Sequence, residues 1–117
     1  MPHVVFDKKI DLKKFYNSFQ KIIQAKPTIK IQNIFIDKNE QRLLLPTLVI
    51  ESKNHHFLIE INAKQNKTTL RLLPETDPEK TIGVKTAMGL LTLNILEIFP
   101  SVKIIKTNIS NFIPDRK

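Results

Sequence analysis

The sequence predicts one α+β domain: an antiparallel sheet of about four to six strands with two helices on one face, in the order β-α-β-β-β-β-α-β. Three observations predict it. Residues 12–23 and 76–99 carry apolar side chains at helical spacing. The four segments between them are rich in Ile, Leu, Val and Thr. The connections between those segments are only three or four residues long. Connections that short join antiparallel neighbours, because a parallel crossover needs roughly a dozen residues or more. A chain of 117 residues suits a single domain, 1–117, around one core.

Residues 3–6 read as a first strand. Asp11 can cap a helix, after which Leu12, Phe15, Tyr16, Phe19, Ile22 and Ile23 form an apolar stripe. Lys13, Lys14, Asn17, Ser18 and Lys21 take the other side, and the helix is expected to end near Gln24, ahead of Pro27. Strands follow at about 29–36, 42–51, 55–63 and 67–73. Within the third, Phe57, Ile59 and Ile61 alternate with Leu58, Glu60 and Asn62, the pattern of a half-buried strand.

Thr76-Asp77-Pro78-Glu79 offers two ways to start the second helix. One is a Thr-x-x-Glu capping box; the other is Asp77 as N-cap with Pro78 in the first helical position. The helix is expected to run to about Phe99, stopped by Pro100, before a last strand over about 101–109. Phe112 and Ile113 then extend or anchor the tail.

This second helix is apolar nearly all round. Val84, Ala87, Met88, Leu91, Ile95, Ile98 and Phe99 share one face, and Ile82, Gly89, Leu93 and Leu96 another. Such a helix is covered on more than one side. Gly83 and Gly89 each cost up to about 1 kcal/mol in a helix interior, which points to close approach of another backbone. The first helix or a second copy of the chain could supply it, so a homo-oligomer through residues 82–99 or through a sheet edge is expected.

There is no cysteine, which excludes disulfides, thiolate catalysis and Cys-based zinc sites. No leader-like start and no apolar run near membrane-spanning length is present, so a cytoplasmic location without a membrane span is expected. The net charge of +8, from 19 Lys and Arg against 11 Asp and Glu, favours an anionic partner such as nucleic acid. Lysine dominates, however, and the arginines suited to bidentate phosphate contacts are only Arg42, Arg71 and Arg116. The abundance of Lys, Ile and Asn also matches AT-rich coding.

Lys8, Lys9, Lys13 and Lys14 form the densest basic cluster, and Lys103 and Lys106 lie on the last strand. These six are the candidate binding residues. Lys64 and Lys67 flank a turn. Phe15 and Tyr16 match the apolar stripe and are assigned to the core, so a single-strand binding surface would need other aromatics exposed on the sheet.

Pro2 would become a secondary amine at the N-terminus once Met1 is removed, and a desolvated amine of that kind can act as a general base. The start Met1-Pro2-His3, three apolar residues and an acid, together with Thr69-Leu70-Arg71-Leu72-Leu73 before a long helix, resembles the 5-carboxymethyl-2-hydroxymuconate isomerases of the tautomerase superfamily. The resemblance implies a trimer with Pro2 as catalytic base and Arg71 holding a carboxylate substrate; Arg42, in an expected turn region, is less well placed. Residues 43–66 hold more strand than that family has. The order of elements, with Ile10-Asp11-Leu12-Lys13-Lys14 opening the first helix, is also similar to half of a TATA-box-binding protein, which implies DNA contact through the sheet. No residues carry over from that likeness.

His55 and His56 are adjacent on a strand and point to opposite faces, so they cannot jointly chelate a metal. No phosphate loop, nucleophile elbow or cofactor motif is present, and no metal or cofactor is expected. The function expected is a non-enzymatic binding or interaction domain for a polyanion. A Pro2-dependent tautomerase and a structural homo-oligomer subunit are the alternatives.

Overall fold

Alternation decides which side of each strand is buried, and in the computed structural model, which describes residues 1–115, it does so across one antiparallel sheet. Arg116 lies outside the described residues. The sheet has eight strands: β1 (His3–Phe6), β2 (Ile22–Ala25), β3 (Thr28–Ile31), β4 (Phe35–Ile36), β5 (Arg42–Ile50), β6 (Asn54–Lys64), β7 (Lys67–Leu72) and β8 (Ile104–Thr107). Their order is β2-β3-β5-β6-β7-β1-β8, and β4 pairs with β5 alongside β3. Two helices, α1 (Leu12–Ser18) and α2 (Ile82–Ile98), complete the fold with single 3₁₀ turns at Pro74–Thr76 and Ser110–Phe112.

One core lies between the sheet and the helices. Val4, Phe6, Ile29, Leu45, Ile61 and Leu70 enter it from the strands, Leu12 and Phe15 from α1, and Val84, Met88, Leu91 and Ile95 from α2. Both helices therefore pack on the same face, as expected of this α+β class.

The element count differs from expectation, and the first helix accounts for part of it. α1 ends at Ser18 with Phe19 as C-cap, and Ile22 and Ile23 belong to β2 rather than to the helix. Asn17 and Ser18 are weak helix formers, while β-branched isoleucines suit a pleated edge. The β2–β3 ladder, from Ile22 opposite Ile31 to Ala25 opposite Thr28, settles the competition. The segment 29–36 is also divided, into β3 and β4. The observed order is thus β-α-β-β-β-β-β-β-α-β.

The start of α2 is a second correction. Its N-cap is Thr81, whose hydroxyl accepts from the Val84 N–H at 3.2 Å. Thr76 is committed elsewhere: its hydroxyl accepts from the Leu58 N–H at 2.9 Å and donates to the Leu73 carbonyl at 3.2 Å. Asp77 pairs with Lys80 at 2.5 Å. Glu51, in the β5–β6 connection, accepts from the Thr81 hydroxyl at 2.5 Å and from the Gly83 N–H at 3.0 Å. A carboxylate thus sits at the positive end of the helix and satisfies an N–H that has no intrahelical partner. Thr81→Ala is expected to lower stability by about 1 kcal/mol in urea unfolding, and Thr81→Ser to retain most of it.

α2 ends at Ile98 with Phe99 as C-cap before Pro100, as its sequence predicts. Both helix glycines are close-approach positions within the chain. A Cβ on Gly89 would lie 1.7 Å from the Phe112 carbonyl oxygen, and one on Gly83 would lie 2.6 Å from the Glu51 carboxylate carbon. Phe112 and Ile113 pack against the core, so the tail anchors on α2. Exposed Ile82 on α2, Ile23 on edge strand β2 and Ile105 on edge strand β8 are large apolar groups left at the surface.

Candidate functional site: the open face of the sheet

Both helices leave the other face of the sheet uncovered, and strand register sets its contents. Directly paired residues share a face. One row across it runs Arg42, Asn62, Thr69, Val5, Lys106. The next runs Phe35, Leu44, Glu60, Arg71, His3. Pro46 and Leu58 form a third pair, and Ile23, Lys30, Leu48 and His56 a fourth row.

Among the described residues, all six Lys and Arg residues that lie in strands occupy this face: Lys30, Arg42, Lys64, Lys67, Arg71 and Lys106. Within the same described residues, Glu60 is the one acid in any strand. Its side chain is only 2% exposed. The Arg71 Nε–H donates to Oε1 at 2.6 Å, and the Arg42 Nε–H donates to Oε2. The Arg42 and Arg71 side chains are 40% and 45% exposed, so both guanidinium groups still present donors outward. A buried carboxylate is costly unless paired and hydrogen-bonded. The two arginines meet that need and are themselves held in place by it.

Two concavities flank this triad. One, of about 450 Å³, is lined by Asn62, Lys64, Gln65, Lys67, Thr69 and Arg71. The Asn62 Oδ1 is buried beside it, with no hydrogen-bond partner among the described residues. The other, of about 360 Å³, has Pro46, Leu48 and Leu58 as its floor and Gln32, Asn33, Lys30 and His56 around them, with Thr76 as a wall. Phe35 is 58% exposed and shares a face with Leu44. It supplies the exposed sheet aromatic that Phe15 and Tyr16, both assigned to the core, do not.

The six lysines expected from sequence to bind do not share one surface. Lys106 lies on the open face. Lys8, Lys14 and Lys103 gather around the turn that follows α2: Lys8 Nζ donates to the Ser101 carbonyl at 3.2 Å, and Lys14 Nζ lies 5.5 Å from the Phe99 ring centroid. The Lys103 N–H donates to the Asp7 carboxylate at 3.0 Å. Lys9 is exposed beside them in sequence, between β1 and α1. Lys13 is 3.8 Å from Glu40 and over the Tyr16 ring.

Pro2 and Arg71 are not brought together. Pro2 is buried, and by the alternation of β1 it falls on the helix side with Val4 and Phe6, whereas Arg71 is on the open face opposite His3. Arg42, expected near a turn, is the first residue of β5. His55 and His56 do lie on opposite faces: His55 Nε2 is 3.6 Å from Glu51 Oε1, and His56 is paired with Leu48 on the open side. Among the described residues no three His, Asp or Glu side chains converge as metal ligands, and no helix is long and apolar enough to cross a membrane.

Glu60 is the residue that sequence reading misses as a site member. The available signal is the Lys64–Lys67 hairpin, whose two-residue turn fixes Glu60 directly opposite Arg71. Comparison of the chain with family models, curated proteins and solved structures gives no match.

Proposed function

We propose that the protein is a binding domain for single-stranded nucleic acid, which lies along the open face of the sheet. The observation that carries this reading is the charge sorting of that face: six strand cations, and a single strand acid sequestered between two of them. Lysine-rich coding raises the number of cations anywhere on a surface. It does not by itself keep acids off one face. The paired arginines suit phosphate oxygens, and exposed Phe35 offers a ring on which a base can stack. α2 is largely buried, and α1 is a helix of only seven residues, so the helices offer little to a duplex groove. A face that combines cations with exposed apolar groups suits unpaired bases better than a closed duplex.

Fluorescence anisotropy with a labelled single strand, and with the corresponding duplex, tests this across a salt series. Among the described residues, Lys67 and Lys106 have no side-chain partner that holds the fold, so Lys67→Gln with Lys106→Gln isolates the interactions with ligand. The wild type is expected to prefer the single strand. The double variant is expected to bind more weakly, with the salt slope reduced by about 0.7 for each phosphate no longer neutralised. Lys8→Gln with Lys9→Gln, away from this face, serves as the control. Equal affinity of the wild type and the Lys67/Lys106 variant at every salt concentration would reject the open-face reading.

A further inference from the structure

We infer that the concavity floored by Pro46, Leu48 and Leu58 holds one unpaired nucleobase of the bound strand. This rests on the single-strand reading above and adds a base-accepting site to it. At about 360 Å³ the space lies at the small end of ligand pockets, fit for one ring system and not for a folded partner. Its floor is three apolar side chains, and its rim carries the amides of Gln32 and Asn33. Apolar contact for a ring face together with amide donors and acceptors for its edge is the chemistry a flipped-out base requires.

The walls are fixed. The Thr76 hydroxyl is engaged both as acceptor from the Leu58 N–H and as donor to the Leu73 carbonyl, and the Leu73 N–H donates to the Leu58 carbonyl at 2.9 Å. The shape of the pocket is therefore set by backbone ties before any ligand arrives.

Position along the strands carries the argument further. The Pro46–Leu58 pair is two residues from the Leu44–Glu60 pair, and the Leu48–His56 pair is two residues beyond it. Each step is about 6.7 Å at the rise of a β-strand. Arg42 and Arg71 thus stand off one end of the apolar floor, and Lys30 is the cross-strand neighbour of Leu48 at its other end. Cation, apolar floor, cation is the sequence of surfaces that a strand presenting phosphate, base, phosphate would meet. An uncharged apolar ligand leaves the cations at both ends unused.

The test is an abasic scan. Short single-stranded oligonucleotides, each lacking the base at one position, are titrated against the wild-type chain and against a variant carrying Asn33→Ala and Leu48→Ala. For the wild type, removing the base at one position is expected to weaken binding by about 5–10-fold, within the range of single-base contacts. The variant is expected to bind the intact strand more weakly by a similar factor, to keep the wild-type salt slope, and to be insensitive to the abasic position. A flat scan on the wild type with salt-dependent binding retained overturns the base pocket and leaves the proposed function standing. Absence of any binding of the wild type to intact strands overturns both. Should the variant unfold, the scan on the wild type alone decides.

Discussion

Replacing Arg42 and Arg71 together by methionine is expected to destabilise the fold by about 3–5 kcal/mol, and adding Glu60→Met is expected to restore most of it. The destabilisation does not come from the attraction itself. Both guanidinium groups are about half exposed, and solvent screens such pairs. It comes from the carboxylate left behind, which is 2% exposed and keeps no cation beside it. Either single substitution leaves one arginine bonded to Glu60 and should cost less, about 1–3 kcal/mol. Urea unfolding of these variants beside the wild type measures the coupling. Equal instability of the double and triple variants would show that the arginines contribute by packing and not by neutralising Glu60. The same coupling explains why Lys67 and Lys106 are the better probes of ligand binding, since truncating either arginine changes the fold and the surface together.

The second large effect is expected at Gly89. An alanine there places its Cβ 1.7 Å from the Phe112 carbonyl oxygen and 2.6 Å from its carbon, and neither backbone atom can yield without moving the tail. The tail must lift off α2, and the partly buried Phe112 and Ile113 come away from the core. Against this stands the gain of up to about 1 kcal/mol from replacing glycine in a helix interior. The net destabilisation expected is about 2 kcal/mol, within the usual range for overpacking. Faster proteolysis after Ile109 should accompany it. In a chain ending at residue 109 the sign should reverse, because only the helix gain is left. Gly89→Ala destabilising both chains alike would place the clash somewhere other than the tail.

Much of the fold is legible in the sequence because certain residues permit only one reading. Phe57, Ile59 and Ile61 fit a strand and no helix, and Pro100 admits no further turn of α2. Sequence misleads where two readings are locally sound. Ile22 and Ile23 continue the stripe of α1 as well as they begin a strand, and only their pairing with Ile31 and Lys30 decides between the two. Thr76 and Thr81 are both good caps. The choice falls to Glu51, some thirty residues earlier, which reaches Thr81 and Gly83. The site is legible in part. Arg71 stands out in the sequence, and the short β6–β7 turn brings Glu60 opposite it; the approach of Arg42 depends on the register of the β5–β6 hairpin. Lysines close in sequence, such as Lys8 and Lys9, stay near the turn after α2, and the ladder assembles a separate set, Lys30, Lys67 and Lys106, from distant segments.

The place of β1 has a kinetic consequence. It sits between β7 and β8, with Val4 facing Leu70 on one side and Thr107 on the other. During synthesis the first strand emerges early, and its two neighbours follow tens of residues later. Until then Val4, Val5 and Phe6 have unpaired backbone edges and exposed apolar side chains, a segment open to mispairing. Closure of that half of the sheet waits on the most sequence-distant pairings in the fold, so the loop entropy is given up before the ladder repays it, and slow folding is expected.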